Sequence, residues 1–247
     1  MLLEAEPCRR GTIARVTWSD ALPHPIEMPR TARASCGGVC FHGMNRGNAK
    51  STIFHDESDY RSFEDMMRQA KERLAIRILA WCFMPNHFHM VLWPSEDGDL
   101  SRWMHWLLTT HVQRHRGRYQ TTGRIWQGRF KAPPIQQDHH LLIVMRYVER
   151  NPLRAGLVKR AEDWPWSSLQ ARLSGSDRLL SPSPVTLPED WKDLVNQPLT
   201  NQELKAVRES LQRGKPFGDR AWTRGTAERL GLLDSLNPRG RPRRRDE

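Results

Sequence analysis

His87 and His89 flank Phe88 in the apolar run HFHMVLW. Side chains on a strand alternate between faces, so the two imidazoles share one face and Phe88 takes the other. Two imidazoles about 6–7 Å apart along a strand can converge on one divalent cation. The same spacing also suits two surface histidines, although an otherwise apolar strand makes paired polar groups harder to place without a purpose. A second pair, Tyr147 and Asn151 in RYVERNP, stands four residues apart, on one face if the segment is helical. A phenol beside an amide whose carbonyl can face a metal suits a nucleophile with a ligand. It suits equally a core tyrosine followed by an asparagine that ends a helix ahead of Pro152.

The elements that must position these residues can be read from periodicity. Gly37 to Arg46 alternates as a strand and closes on the turn signal Arg46-Gly47-Asn48. Asp56 stands at an N-cap, and Tyr60, Phe63, Met66, Met67, Ala70 and Leu74 recur at helical spacing, which predicts a helix over 57–73. Ala75 to Phe83 and His87 to Trp93 read as two strands joined by a tight turn. A second helix carries Leu100, Trp103, Met104, Leu107, Leu108, His111 and Val112 and ends in the basic stretch from Gln113 to Arg118. Gly128 to Gln137 is a short strand that Pro133 and Pro134 confine to an edge. Asp138 caps a third helix, predicted to stop at Asn151-Pro152. The order β-α-β-β-α-β-α predicts an α+β fold, a ferredoxin-like (RRM-like) split β-α-β sheet with a C-terminal helical extension.

The chain has 247 residues, with 39 Lys and Arg against 28 Asp and Glu, a net charge of +11. That excess points to a polyanionic partner, and ten tryptophans point to a folded domain that binds it. No run of roughly 18 apolar residues exists to span a membrane, and no secretory signal opens the chain. Cys8, Cys36, Cys40 and Cys82 form no paired zinc pattern and read as reduced thiols. Residues 1–27 read as a loose leader, 28–172 as the main domain, 173–200 as a linker rich in Ser and Pro, and 201–247 as a helical segment with an arginine-rich tail. Within that last segment Asn201 to Arg213 and Asp219 to Leu232 are the predicted helices.

Four phrases in order, MPNHFHMVLWP, TGRIWQGRFKAPPI, LLIVMRYVERNPLRAGLV and DWPWSS, resemble the REP-associated tyrosine transposases, a branch of the single-tyrosine HUH nucleases. The resemblance spans about Met28 to Arg172 and extends through RGKPFGDRAW, AERLGL and NPRGRPRR. It implies that His87 and His89 are the metal-binding pair, that Asn151 is the third ligand and that Tyr147 is the nucleophile. The implied cofactor is Mg²⁺ or Mn²⁺. The implied reaction is transesterification of single-stranded DNA through a 5′-phosphotyrosine link, so that rejoining needs no ATP. The implied partner is single-stranded or hairpin DNA of the REP type, bound by a monomer or homodimer in the bacterial cytoplasm at the nucleoid.

Cations for the DNA backbone are expected at Arg114, Arg116, Arg118, Arg124, Arg129 and Lys131. They are interleaved with Tyr119, Trp126 and Phe130 as rings for stacked bases. Trp126 and Phe130 suit the core equally well. Further contacts are expected from Arg239, Arg241, Arg243, Arg244 and Arg245 in the tail. Two other readings keep the same charge: a DNA-binding protein that does not cleave, and an RNA-binding protein on the same sheet. An acid–base phosphodiesterase with two His-x-Thr/Ser phrases is excluded, because no such second phrase exists.

Overall fold

The computed structural model describes residues 35–175 and 179–237. The leader, Cys8 and the tail arginines Arg239, Arg241, Arg243, Arg244 and Arg245 lie outside the described residues. In chain order the elements are β1 (Cys40–Arg46), α1 (Glu57–Arg73), β2 (Ile76–Met84), β3 (His87–Pro94), α2 (Asp99–Tyr119) and β4 (Pro134–Ile135). There follow α3 (His139–Glu149), α4 (Asn151–Arg154), α5 (Ser168–Ser174), α6 (Trp191–Asn196), α7 (Asn201–Arg213) and α8 (Arg220–Arg229). The fold is α+β. Its sheet runs in the order β2-β3-β1-β4, and every neighbouring pair is antiparallel.

Alternation along the strands divides the interior in two. Phe41, Phe88, Met90 and Leu92 face α1 and α2, where they pack with Phe63, Met67, Trp103 and Leu107. Cys40, Val91, Cys82 and Met84 face the other way, onto Leu141, Val144, Met145 and Val148 of α3. A register shift between Ile78 and Ala80 carries β2 through one irregularity, so that Ile78 and Trp81 join the first layer while Leu79, Ala80 and Cys82 join the second.

Helix α1 begins where expected because the Asp56 carboxylate accepts from the Ser58 and Asp59 amides. The fourth strand is shorter than expected. Only Pro134 and Ile135 form a ladder with β1, and upstream the pairing reduces to an isolated Met44–Lys131 bridge and a bond from the His42 amide to the Pro133 carbonyl. Prolines without N–H groups cannot sustain a longer ladder.

The third helix ends at Glu149, just ahead of Asn151-Pro152, close to where the sequence places its stop. A further helical turn, α4, follows directly, with Pro152 in its first turn, where the missing N–H costs nothing.

The chain after Trp166 is tied to this frame by polar clamps. The stretch expected as a linker carries a buried Leu179, and the Ser181 amide bonds the Ile78 carbonyl at the edge of the sheet. Arg146 on α3 donates to the carbonyls of Leu194, Gln197 and Pro198, and Arg150 donates to those of Val195 and Asn196. These carbonyls lie at and just past the end of α6, and all but that of Leu194, which also accepts from the Gln197 amide, are left open by the helix itself. Among the described residues, no helix is long and apolar enough to cross a membrane.

Candidate active site

Strand β3 delivers the histidine pair as the alternation requires. Phe88 is fully buried in the layer under α1 and α2, whereas His87 and His89 line a cavity of about 540 Å³ on the other side of the sheet, together with Tyr147. The two imidazoles are perpendicular, with ring centres 5.1 Å apart. Each has one ring nitrogen engaged. His87 Nδ1 lies 2.6 Å from Asn86 Oδ1, to which it can only donate. His89 Nδ1 lies 3.0 Å from His42 Nε2.

His42 is the residue that sequence reasoning missed. It sits on β1 opposite Val91, one diagonal step from His89, which faces Met44. Its signal was a single histidine in CFHGMNR, and only the β1–β3 register gives it meaning. All three rings are held neutral. Burial pushes His42 down to about 3. Burial, then Arg46 and Arg154, push His87 down to about 4. His89 is driven well below its ordinary value by burial and by its histidine neighbours. Neutral imidazole is the form that ligates a metal.

Tyr147 comes from the buried side of α3 and stands edge-on to both His42 and His89, with ring centres 5.8 and 5.5 Å away. The Arg154 guanidinium lies 5.6 Å from the phenol ring centre. Asn151 is fully buried at the start of α4. Its Oδ1 accepts from Arg154 at 2.7 Å, and its Nδ2 has no partner among the described residues. Asn151 is not among the residues lining the cavity. The structure therefore brings His87, His89 and Tyr147 together and sets Asn151 behind Arg154.

The cavity is strongly cationic. Arg46, Arg129, Lys131, Arg154 and Arg208 line it, and no carboxylate among the described residues does. A concentration of like charge without counter-charge is unfavourable unless an anion is to be bound there. Of the cations expected to meet DNA, Arg129 and Lys131 are at this site. Arg116 lines an adjoining groove, with Trp126 and Phe130 in its wall. Arg114 and Arg124 are exposed. Arg118 is committed elsewhere, bound to Asp56 at 2.5 Å and Asp59 at 3.0 Å beside the start of α1. The Trp126 ring packs with Phe63, Phe88 and His111 in the core, so its faces are largely covered.

Another group of ligand-type atoms, on Asp138, His139 and His140, lies within 4.8 Å at the start of α3. There Asp138 Oδ1 already accepts from the His140 amide and ring, so the carboxylate acts as the helix cap.

Residues 37–151 match the family model for IS200-like transposases. The REP-associated tyrosine transposase of Escherichia coli K12 is 27% identical over 135 residues, 53% of this chain and 76% of that one. A Haemophilus influenzae protein bearing the same family name is 27% identical over 146 residues, 54% of this chain and 77% of its own. Over about half of its length this chain is similar to the REP-associated tyrosine transposases. A solved structure of a REP-associated tyrosine transposase bound to a REP hairpin shares the fold, with a TM-score of 0.50 and 22% identity. The match covers 70% of this chain and 98% of that one. The matched region holds the histidine pair, Tyr147 and Asn151, while α7 and its Arg208 lie beyond it.

Proposed function

We propose that this protein cuts and rejoins single-stranded DNA beside REP-type hairpins, with Tyr147 as the nucleophile and a divalent cation as cofactor. The observation that carries this reading is one cavity that holds two neutral imidazoles, a tyrosine and five cations, with no carboxylate among the described residues in its lining. The strand order β4-β1-β3-β2 supports a ferredoxin-like core within residues 28–172, with the segment from 201 onward as its extension.

The donor set fits a metal. With Nδ1 of His87 and of His89 engaged by Asn86 and His42, both Nε2 atoms are left to ligate. Asn151 would add a carbonyl oxygen, whose second lone pair is not used by Arg154. Mg²⁺ or Mn²⁺ held there supplies Lewis-acid polarisation of the scissile phosphate, and imidazole ligands suit Mn²⁺ better than Mg²⁺.

The chain's own groups account for the rest. Arg154 beside the phenol ring places a cation where negative charge develops around the attacking Tyr147 oxygen. Tyr147 Oη forms a bond to phosphorus while the bond to the 3′ oxygen breaks and that oxygen takes up a proton. The product is a 5′-phosphotyrosine and a free 3′-hydroxyl. The reverse attack by a 3′-hydroxyl restores the strand and the phenol. Arg46, Arg129 and Lys131 neutralise phosphate charge along the strand.

One observation favours DNA binding without cleavage: the Asn151 carbonyl accepts from Arg154, and Asn151 is not among the residues that line the cavity. A single assay separates the two readings. The protein is incubated with Mn²⁺ and a hairpin carrying a single-stranded flank, then denatured and examined for protein-linked DNA. Cleavage predicts a covalent adduct, and predicts its loss in His87→Ala/His89→Ala while hairpin binding survives. Binding without an adduct at any Mn²⁺ concentration would leave a DNA-binding protein.

A further inference from the structure

Eight arginines that the fold places away from the cavity are matched. Arg61, Arg68, Arg102, Arg118, Arg160, Arg172, Arg213 and Arg224 each pair with a carboxylate. Arg208 is different. It lies on α7, more than fifty residues beyond the end of the family-matched region. It is exposed and has no carboxylate partner among the described residues. It nevertheless lines the same cavity as His87, His89 and Tyr147, with Gln212 one turn further along the helix.

Helix α7 is positioned to hold this place. The Thr200 hydroxyl accepts from the Glu203 amide and the Glu203 carboxylate accepts from the Thr200 amide, closing its first turn. Val207 and Leu211 are buried against the α3 layer. With those residues anchored, Lys205, Arg208 and Gln212 follow at i, i+3 and i+7 and are exposed. A second cavity of about 500 Å³ adjoins the first along this ridge, and Lys205, Arg208 and Gln212 line it. Its one carboxylate, Glu209, pairs with Arg213 at 3.4 Å.

We infer that α7 is a wall of the DNA site. Arg208 and Lys205 bind successive phosphates of the single strand that flanks the hairpin as it leaves the catalytic cavity, and Gln212 hydrogen-bonds the strand on the cavity side of Arg208. The C-terminal segment is thereby part of the substrate-binding machinery. The chemistry asks for an extended polyanion: two unmatched cations one turn apart on an exposed ridge, leading out of a cavity lined with five cations. The inference rests on the reading that DNA fills that cavity, and the test separates the two.

Two fluorescent DNAs are used, a hairpin alone and the same hairpin with a single-stranded flank, against the full chain and its Lys205→Ala/Arg208→Ala variant. The variant is expected to bind the flanked hairpin about tenfold more weakly and the bare hairpin as the wild type does. Its log K against log salt slope on the flanked DNA should be shallower by about 1.4, two single-strand phosphates at roughly 0.7 each. Arg61→Ala/Arg102→Ala removes the same formal charge elsewhere and should not discriminate between the two DNAs. Arg208→Gln, which keeps a polar side chain of similar length, should show about half of the slope change. An equal loss on both DNAs, or no loss on the flanked one, overturns the inference. A wild type that binds the flanked hairpin no better than the bare one overturns the reading on which the inference rests.

Discussion

His42 and His89 meet on adjacent strands beneath α3, ring nitrogen to ring nitrogen at 3.0 Å, with both side chains buried. If both rings are neutral, one proton lies between them. When His89 donates from Nδ1, its Nε2 carries the lone pair on the cavity side, the tautomer a metal ligand needs. His42→Leu removes the acceptor while keeping a buried apolar volume. Mn²⁺ affinity, measured by titration calorimetry without DNA, should fall about 10–100-fold. Unaltered Mn²⁺ binding would mean that His42 only fills space.

The acid at Glu149, two residues from Tyr147, ties the sheet to the later helices. It is fully buried. Its Oε1 accepts from Ser168 at 2.5 Å and Arg172 at 2.9 Å, and its Oε2 from Trp191 at 2.7 Å. Arg172 also donates to the Leu79 carbonyl on β2. Removing one partner of a buried charge pair is costly because the other stays behind. Glu149→Ala should therefore lower the unfolding free energy by about 3–5 kcal/mol, read from urea transitions. A loss below about 1 kcal/mol, the size of an exposed pair, would contradict the burial described.

His111 on α2 supplies a pH dependence away from the candidate site. It packs among Phe54, Phe63 and Trp126. Burial, then His115 and Arg114, push it from 6.5 down to about 3. Between those values the unfolded chain binds a proton that the folded protein refuses. Stability is thus full above pH 6.5 and is lost as pH falls toward 3. His111→Leu should flatten that dependence by up to about 1.4 kcal/mol per pH unit, followed by urea unfolding at stepped pH. An unchanged slope would place the titration on other groups.

The parts of this architecture that were legible in the sequence are those set by local periodicity and caps. Helices Glu57–Arg73 and Asn201–Arg213 fall where apolar spacing put them, and the β2–β3 pair follows from two apolar runs around a tight turn. Partnerships made across the fold were not legible. Arg118 reads as a phosphate contact in a basic stretch, but the end of α2 packs beside the start of α1 and brings Asp56 and Asp59 to it. Arg146 and Arg150 belong to a motif phrase, yet their work is to hold the end of α6. Arg208 lies in a segment whose helix was predicted but whose neighbour, the cavity of His87 and His89, depends on how α7 packs on α3.

The nucleophile can be tested against its two rivals. Tyr60 is buried and stacked on Trp166 with ring centres 4.9 Å apart, and burial raises its pKa, so it can neither reach DNA nor ionise readily. Tyr119 donates to Asp59 at 2.6 Å, and desolvation together with that bond pushes it up to about 12. A phenol that donates a hydrogen bond to a carboxylate holds its proton more tightly and stays in its unreactive form. Tyr147 lines the cationic cavity beside His89, and the described carboxylates are absent from that lining. Tyr147→Phe keeps the ring and its edge contacts with His42 and His89 and loses only the hydroxyl. Its thermal unfolding should match the wild type to within about 1 kcal/mol, and binding to the flanked hairpin should survive. The covalent protein–DNA adduct, read on a denaturing gel with labelled DNA and Mn²⁺, should vanish. Tyr119→Phe should still form it. An adduct retained by Tyr147→Phe and lost by Tyr119→Phe would move the chemistry to the end of α2 and leave Tyr147 as a packing residue.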